Sequence, residues 1–280
     1  WCKDAQEPDG GWYQRYHVEK TPGPSWGEQE DQCATILWGI GQHYQLTRNE
    51  NFLNELWATV RKGVEHILQK RDQETGLIGP TFDLWEEKRA LHTYTNAAGY
   101  AALIECSRLA SALGHSTLAL SWQEESKSLR DSIQRHLWDE NNKRFLKSAN
   151  PHDSSIDTAI LGLTYPFSVF EADDPRILST SRQIENAFKF ASDGLGRYPG
   201  DVYLGGNPWF ITTLWMALYQ CRLKNYEKAR VLIEWCARHV DELHLFAEQV
   251  HKDNGEPISA SPLAWSHAMF ILSLLDYKPA

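Results

Sequence analysis

The sequence predicts an all-α protein, on three observations. Apolar residues recur at helical spacing in about nine separate stretches. No stretch competes as a strand by alternating with a period of two. The connections between the stretches are alternately short and long. Helices joined by short breaks pack as antiparallel neighbours, so the long connections are expected to gather at one end. Structureless loops of that length in a compact domain generally carry function.

Residues 1–27 contain Pro8, Gly10, Gly11, Pro22, Gly23, Pro24 and Trp26, and read as an irregular lead-in. Cys33, Ile36, Leu37, Ile40 and Tyr44 form the first helical stripe. Phe52, Leu53, Leu56, Val60, Val64 and Ile67 form the second, which ends near Asp72. After a connection of about twenty residues, a third helix runs from near Thr93 to Leu113 with Gly114 as its C′ residue. A fourth carries Trp122, Ser126, Leu129, Ile133 and Leu137, and a short fifth is placed around Ser155 to Leu163. Asp174 and Pro175 supply the N-cap and first position of the sixth, which presents Ile177, Ile184, Ala187 and Phe188 on one face. Asn207 and Pro208 read as cap and first position of the seventh, whose run Ile211 to Leu223 is apolar on most sides and therefore buried. Ala229, Leu232, Ile233 and Cys236 mark the eighth, and Ser261–Pro262 starts a ninth reaching about Asp276.

A chain of 280 residues can bury a sizeable core. Its net charge of −9 argues against a nucleic-acid partner, which needs clustered Lys and Arg to replace phosphate counterions. No apolar run reaches the ~18–20 residues of a membrane span, so no membrane partner is expected. Cys2, Cys33, Cys106, Cys221 and Cys236 are odd in number and mostly on apolar helix faces, so they read as buried free thiols and lean towards a reducing compartment. The chain starts at Trp1 without Met, which leaves open whether the protein is secreted or cytoplasmic. There is no H-E-x-x-H and no C-x-x-C, so a zinc site has no sequence support; neither a metal nor another cofactor is expected.

The stretch Asp83-Leu84-Trp85-Glu86-Glu87 stands out in the long connection after the second helix. Taken alone, Glu86 and Glu87 fit first-turn acids favoured by the helix dipole. A second acid, Glu248, follows the apolar lead-in Leu245-Phe246-Ala247 after the eighth helix, where partial desolvation would adjust its pKa. The long connections also hold Trp26, Arg197, Tyr198, Tyr203, Trp209 and Gln249. Opposed carboxylates among aromatics are the apparatus of glycoside hydrolysis: one protonates the leaving oxygen and the other activates water or attacks carbon.

Asp83 to Glu87, Gly196-Arg197-Tyr198-Pro199, Asp201-Val202-Tyr203, Gly205 to Phe210, Ala247-Glu248-Gln249 and Ser261 to Ser266 together resemble, in order and spacing, the glucoamylase family, glycoside hydrolase family 15. The resemblance runs from about Pro24 to Asp276. It implies an (α/α)6 barrel and single displacement with inversion, releasing β-D-glucose from the non-reducing ends of α-1,4-linked maltooligosaccharide, starch or glycogen. It makes Glu86 the general acid, Glu87 a ligand of sugar hydroxyls and Glu248 the general base with Gln249 beside it. Arg197 becomes a contact of the terminal glucose, and Trp26, Trp85, Trp209 and Trp265 become cleft-lining aromatics; Asp83 is counted with the substrate-binding set. An inverting pair stands roughly 6.5–9.5 Å apart to admit water.

Twelve helices make that barrel and about nine are legible here, so the resemblance also implies that residues 1–280 are the C-terminal portion of one catalytic domain. An N-terminal fragment of the same protein is then an expected partner. The family's Arg-Asp pair for the terminal glucose has no counterpart: Arg71–Asp72 and Arg130–Asp131 sit in the wrong context. Two rival readings remain open: an α-1,6-glucan or trehalose hydrolase on the same fold, and a carbohydrate-binding toroid that has lost catalysis.

Overall fold

Helices form where the apolar stripes repeat, and what ends each one is local chemistry. The computed structural model describes residues 1–25, 27–188, 190 and 193–279; Trp26 lies outside the described residues. The chain divides into two compact units. One is Trp1–Trp138 with Leu146–Asp153 and Phe167–Val169; the other is Asp139–Phe145, Ser154–Pro166 and Phe170–Ala280.

The first unit contains α1 (Glu30–Thr47), α2 (Glu50–Gln69), α3 (Thr93–Ala112) and α4 (Ser116–His136). Of the predicted stripe, α2 buries Leu53, Val60, Val64 and Ile67 and leaves Phe52 and Leu56 half-buried. Its N-cap is Asn49, whose side chain accepts from the Phe52 N–H at 3.1 Å. α1 and α3 approach closely because residue 41 is glycine: a Cβ there would lie 2.5 Å from Glu105 Cβ. α3 ends as the sequence predicts. Gly114 takes φ +79°, donating to Ser111 O, while the His115 N–H returns to Ala110 O, so the last turn's carbonyls are satisfied. The lead-in, residues 1–25, carries no helix and is tied to itself by a bridge between Tyr16 and Pro22.

The second unit contains α5 (Pro175–Ala187), α6 (Phe210–Arg222), α7 (Tyr226–Arg238) and α8 (Ala264–Asp276). Asp174 caps α5 by accepting from the Arg176 N–H at 2.9 Å, with Pro175 at the first position. α6 is buried continuously from Phe210 to Cys221, as its all-round apolar run requires. Phe210, Leu214, Trp235, Cys236, Phe246, Ala247 and Val250 make one core cluster around it.

Three expectations are corrected. The fifth helix is a six-residue 3₁₀ helix, Thr158–Leu163, and Pro166, which restricts Tyr165, keeps it from continuing. α6 starts at Phe210, and Asn207 is not its cap. The chain stays extended through Trp209, since Pro208 O accepts from Val250 N–H and Trp209 bridges Gln249. α8 begins at Ala264, because the Leu263 N–H is drawn to Phe246 O. Strands among the described residues are two-residue pieces only. Gln249–Val250 pairs antiparallel with Pro257–Ile258, and Thr81–Phe82 with Arg89–Ala90. All five cysteines are free thiols, four of them buried. No described helix is long and apolar enough to cross a membrane.

Candidate active site

In the first unit, the loop between α2 and α3 is organised by Asp83. Its buried carboxylate accepts from the N–H groups of Glu87 (2.7 Å) and Lys88 (3.2 Å), and Lys147 Nζ stands 3.4 Å from its other oxygen. Asp83 therefore faces the loop backbone and closes a tight turn. Glu86 stands at the apex of that turn with φ +64°, its N–H on Asp83 O. A left-handed conformation on a non-glycine residue is uncommon and is held here by the Asp83 turn. Glu86 Oε2 accepts from Arg15 of the lead-in at 2.5 Å. Glu87 is exposed, and Trp85 is buried beneath the turn.

In the second unit, the short hairpin sets Glu248 opposite Ser259. Glu248 N–H donates to Ala260 O, and its Oε2 accepts from Ser259 Oγ at 2.5 Å and from Gln249 Nε2 at 3.1 Å. Gln249 is fully buried and is fixed in turn by Asn207 Nδ2, 3.1 Å from its Oε1. The half-buried carboxylate of Glu248 thus keeps one oxygen on two donors and is anchored through a chain of amides.

Arg197 belongs to the same assembly. It is buried and grips Asp201 through two bonds, Nε to Oδ2 at 2.7 Å and Nη2 to Oδ1 at 2.6 Å. Its guanidinium lies 5.2 Å from the ring centroids of Tyr198, Tyr203 and Trp209. A paired and stacked arginine is a rigid, planar donor plate. Gly206 makes the loop possible: at φ +71°, a Cβ would meet Asp201 O at 2.1 Å. Trp265, half-buried in the first turn of α8, packs edge-on to Trp215, and its neighbour Ser266 donates to Ala247 O.

The aromatics expected to line the cleft differ in burial. Trp85 and Trp209 are buried, while Tyr203 is exposed. Sequence reasoning missed Arg15, Lys147 and Ser259, and it quoted Asp201 in a motif without giving it a role. Only Asp201 had a signal, its spacing of four from Arg197; the others reach their partners across distant segments or by hairpin register.

A cavity of about 450 Å³ in the first unit is lined by Gln14, Ser25, Gln29, Glu30, His66 and Lys70 among others, and Glu86 is not part of its lining. Next to it, burial pushes the Asp31 carboxyl up to about 7, with Asp83 and Glu30 adding to the shift and a contact from Gln29 opposing it. Burial opposes charge on His66, yet Glu30 and Asp9 outweigh it and hold the imidazole above its ordinary value.

The profile of the family described as "Glycosyl hydrolases family 15" matches residues 12–230 and 219–275. An uncharacterized glycosyl hydrolase of Methanocaldococcus jannaschii is 38% identical over 97% of this chain and 45% of its own length. Trehalase 2 of Sulfolobus acidocaldarius is 25% identical over 89% of this chain and 42% of its own. The chain therefore spans less than half the length of these curated relatives. A bacterial glucoamylase solved with acarbose superposes with a TM-score of 0.83 at 23% identity, over 97% of this chain and 44% of that one. That likeness makes the fold class all-α, of the (α/α)6 type. On the extent of the profile match, the chain belongs to glycosyl hydrolases family 15.

Proposed function

We propose that this chain carries both catalytic carboxylates of an inverting exo-hydrolase that releases β-D-glucose from the non-reducing ends of α-1,4-linked glucans. Glu86 protonates the glycosidic oxygen, and Glu248 takes a proton from the attacking water. The observation that carries this reading is the setting of Glu248. Its Oε2 is fixed by Ser259 and Gln249, a side-chain geometry suited to orienting a water. Arg197, held by Asp201 and stacked among three aromatic rings, supplies a fixed donor plate for sugar hydroxyls. Glu87, exposed beside Glu86, and Gln249, Trp209 and Trp265 complete the sugar-binding set in this reading, together with Trp85 and Trp26. Asp83 serves it by shaping the Glu86 turn.

The reading takes residues 1–280 as the C-terminal portion of one barrel, the remaining helices coming from further polypeptide. Support comes from α8, where Ile271, Leu274 and Leu275 are 57%, 49% and 63% exposed on an apolar helix. The mass and N-terminus of the intact gene product test this part directly.

Hydrolysis of trehalose is the second reading, favoured by the match to Trehalase 2 over most of the chain; an α-1,6 glucan is the third bond to compare. Rates of the full-length enzyme on maltose, isomaltose and trehalose decide among them, and a preference for either of the last two overturns the α-1,4 reading. Proton NMR of fresh product tests the stereochemistry, since initial α-glucose contradicts inversion. Maltooligosaccharide binding without glucose release by the complete protein would favour a non-catalytic toroid.

A further inference from the structure

Three buried metal-donor side chains meet at the junction of α1, α2 and the lead-in segment. Glu30 and Cys33 stand one turn apart on α1, and His66 comes from the last turn of α2. One donor atom from each lies within 4.8 Å of the other two. His66 Nε2 is 2.9 Å from Glu30 Oε2, and its Nδ1 is 3.4 Å from Asp9 Oδ2. The Trp12 N–H points at Cys33 Sγ from 3.3 Å. Gly11 lets the lead-in press onto the ring: a Cβ there would lie 2.6 Å from His66 Cε1. The 450 Å³ cavity opens on Asp9, Glu30 and His66.

We propose that Glu30, Cys33 and His66 form a binding site for a divalent metal of the zinc class, with Asp9 orienting the imidazole and a cavity water as fourth ligand. Thiolate, imidazole and carboxylate are the donor set that zinc selects. Tetrahedral bonds of about 2.0–2.3 Å set donor atoms roughly 3.3–3.6 Å apart, so the Glu30–His66 pair, at 2.9 Å, would open slightly, and all three donors already lie within 4.8 Å of one another. An imidazole whose second nitrogen faces a carboxylate is the usual outer arrangement of a metal-bound histidine. Burial and the Glu30 carboxylate raise the Cys33 thiol well above its ordinary value and the Trp12 N–H only partly opposes them, so the thiolate here calls for a cation beside it.

Entry of M²⁺ displaces to solvent the thiol proton of Cys33 and any proton on the ligating nitrogen of His66, as the metal–sulfur and metal–nitrogen bonds form; nothing is oxidised or reduced. Lys70 opposes binding through Glu30 Oε1, at 3.7 Å, while its stronger partner is Glu28 at 2.8 Å. The ligating oxygen is Oε2. The absence of a zinc motif in the sequence is explained by geometry, because the donors come from two helices 33 residues apart (66 minus 33). The site fastens the lead-in to α1 and α2 and uses none of the residues assigned to hydrolysis, so it stands or falls separately from that reading.

The test is titration of the metal-stripped full-length polypeptide with Co²⁺, followed by near-ultraviolet and visible absorption. One equivalent is expected to give a thiolate-to-cobalt charge-transfer band that Zn²⁺ abolishes. The band is expected to vanish in Cys33→Ser and persist in Cys106→Ser, a control at another buried thiol. Asp9→Asn, at a largely exposed position, is expected to weaken Co²⁺ affinity about 10- to 100-fold without unfolding. A folded protein with no band, a band that survives Cys33→Ser, or unchanged affinity in Asp9→Asn overturns the proposal.

Discussion

The guanidinium of Arg15 stands 2.5 Å from Glu86 Oε2, so the carboxylate assigned to proton donation is held by a cation from the lead-in segment. A neighbouring cation favours the ionised form, whereas a general acid must hold its proton. Water reaches both partners, with side chains 46% and 27% exposed, and this screens the effect. Under the proposed mechanism Arg15 therefore lowers the pH at which Glu86 ceases to donate. Arg15→Met is expected to move the alkaline limb of the kcat–pH profile upward. Added salt should move the wild-type limb in the same direction and leave the variant's in place. A limb that is unmoved, or moved down, would mean Arg15 does not act on the catalytic acid.

Glu86→Gln and Glu248→Gln are each expected to lower kcat by about 10²- to 10⁴-fold while thermal melts stay unchanged. Ser259→Ala removes one of the two donors on Glu248 Oε2 and should cost about tenfold. Near-normal turnover in either glutamine variant would strip that residue of its role.

The pair Arg197–Asp201 is buried on both sides. Asp201→Ala leaves an uncompensated guanidinium among aromatic rings and should destabilise the enzyme by about 3–5 kcal/mol in denaturant unfolding. Arg197→Lys keeps the charge but loses the fork, and under the proposed function KM rises more than stability falls. Gly206→Ala forces a Cβ onto the Asp201 carbonyl and is expected to reproduce the Asp201→Ala phenotype in part. Melting temperatures and KM for all three variants check this.

Asp31 gives the fold a pH signature. Burial raises its carboxyl from 3.8 to about 7 in the folded chain. Between those values the folded state binds more protons than the unfolded state at this site, so Asp31's contribution to stability is greatest at low pH and falls as pH rises towards 7. The loss is on the order of a few kcal/mol at roughly 1.4 kcal/mol per unit. Melts of wild type and Asp31→Asn at pH 4.5 and 7.5, with chelator present, test the sign: the variant should lose less stability over that interval.

Helix positions were legible because burial imposes a period on the sequence. The cap at Asp174–Pro175 and the glycine stop at Gly114 were legible because they rest on neighbouring residues alone. Asn207–Pro208 carried the same local signal and misled, since its amide is drawn to Gln249, 42 residues on. The carboxylates Glu86 and Glu248 could be singled out by their surroundings in the chain. Their partners could not: Arg15 meets Glu86 across 71 residues, and Lys147 meets Asp83 across 64 (147 minus 83). Trp85 and Trp209 lie beside polar or turn-forming residues, yet a tight loop can fold over an indole as completely as a helix can. Burial of that kind has no sequence period.

The hairpin of Gln249–Val250 on Pro257–Ile258 makes the aim of Glu248 a question of odd and even. Gln249 faces Ile258 and Val250 faces Pro257, and residues on a strand alternate sides. A slip of one residue would send the Glu248 carboxylate to the opposite face, while a slip of two would restore its side with a different neighbour. The buried Gln249 side chain, locked to Asn207, works as a detent against the odd slip. A six-residue turn from His251 to Glu256 can drift in sequence and leave the aim of the carboxylate intact, provided that parity is kept.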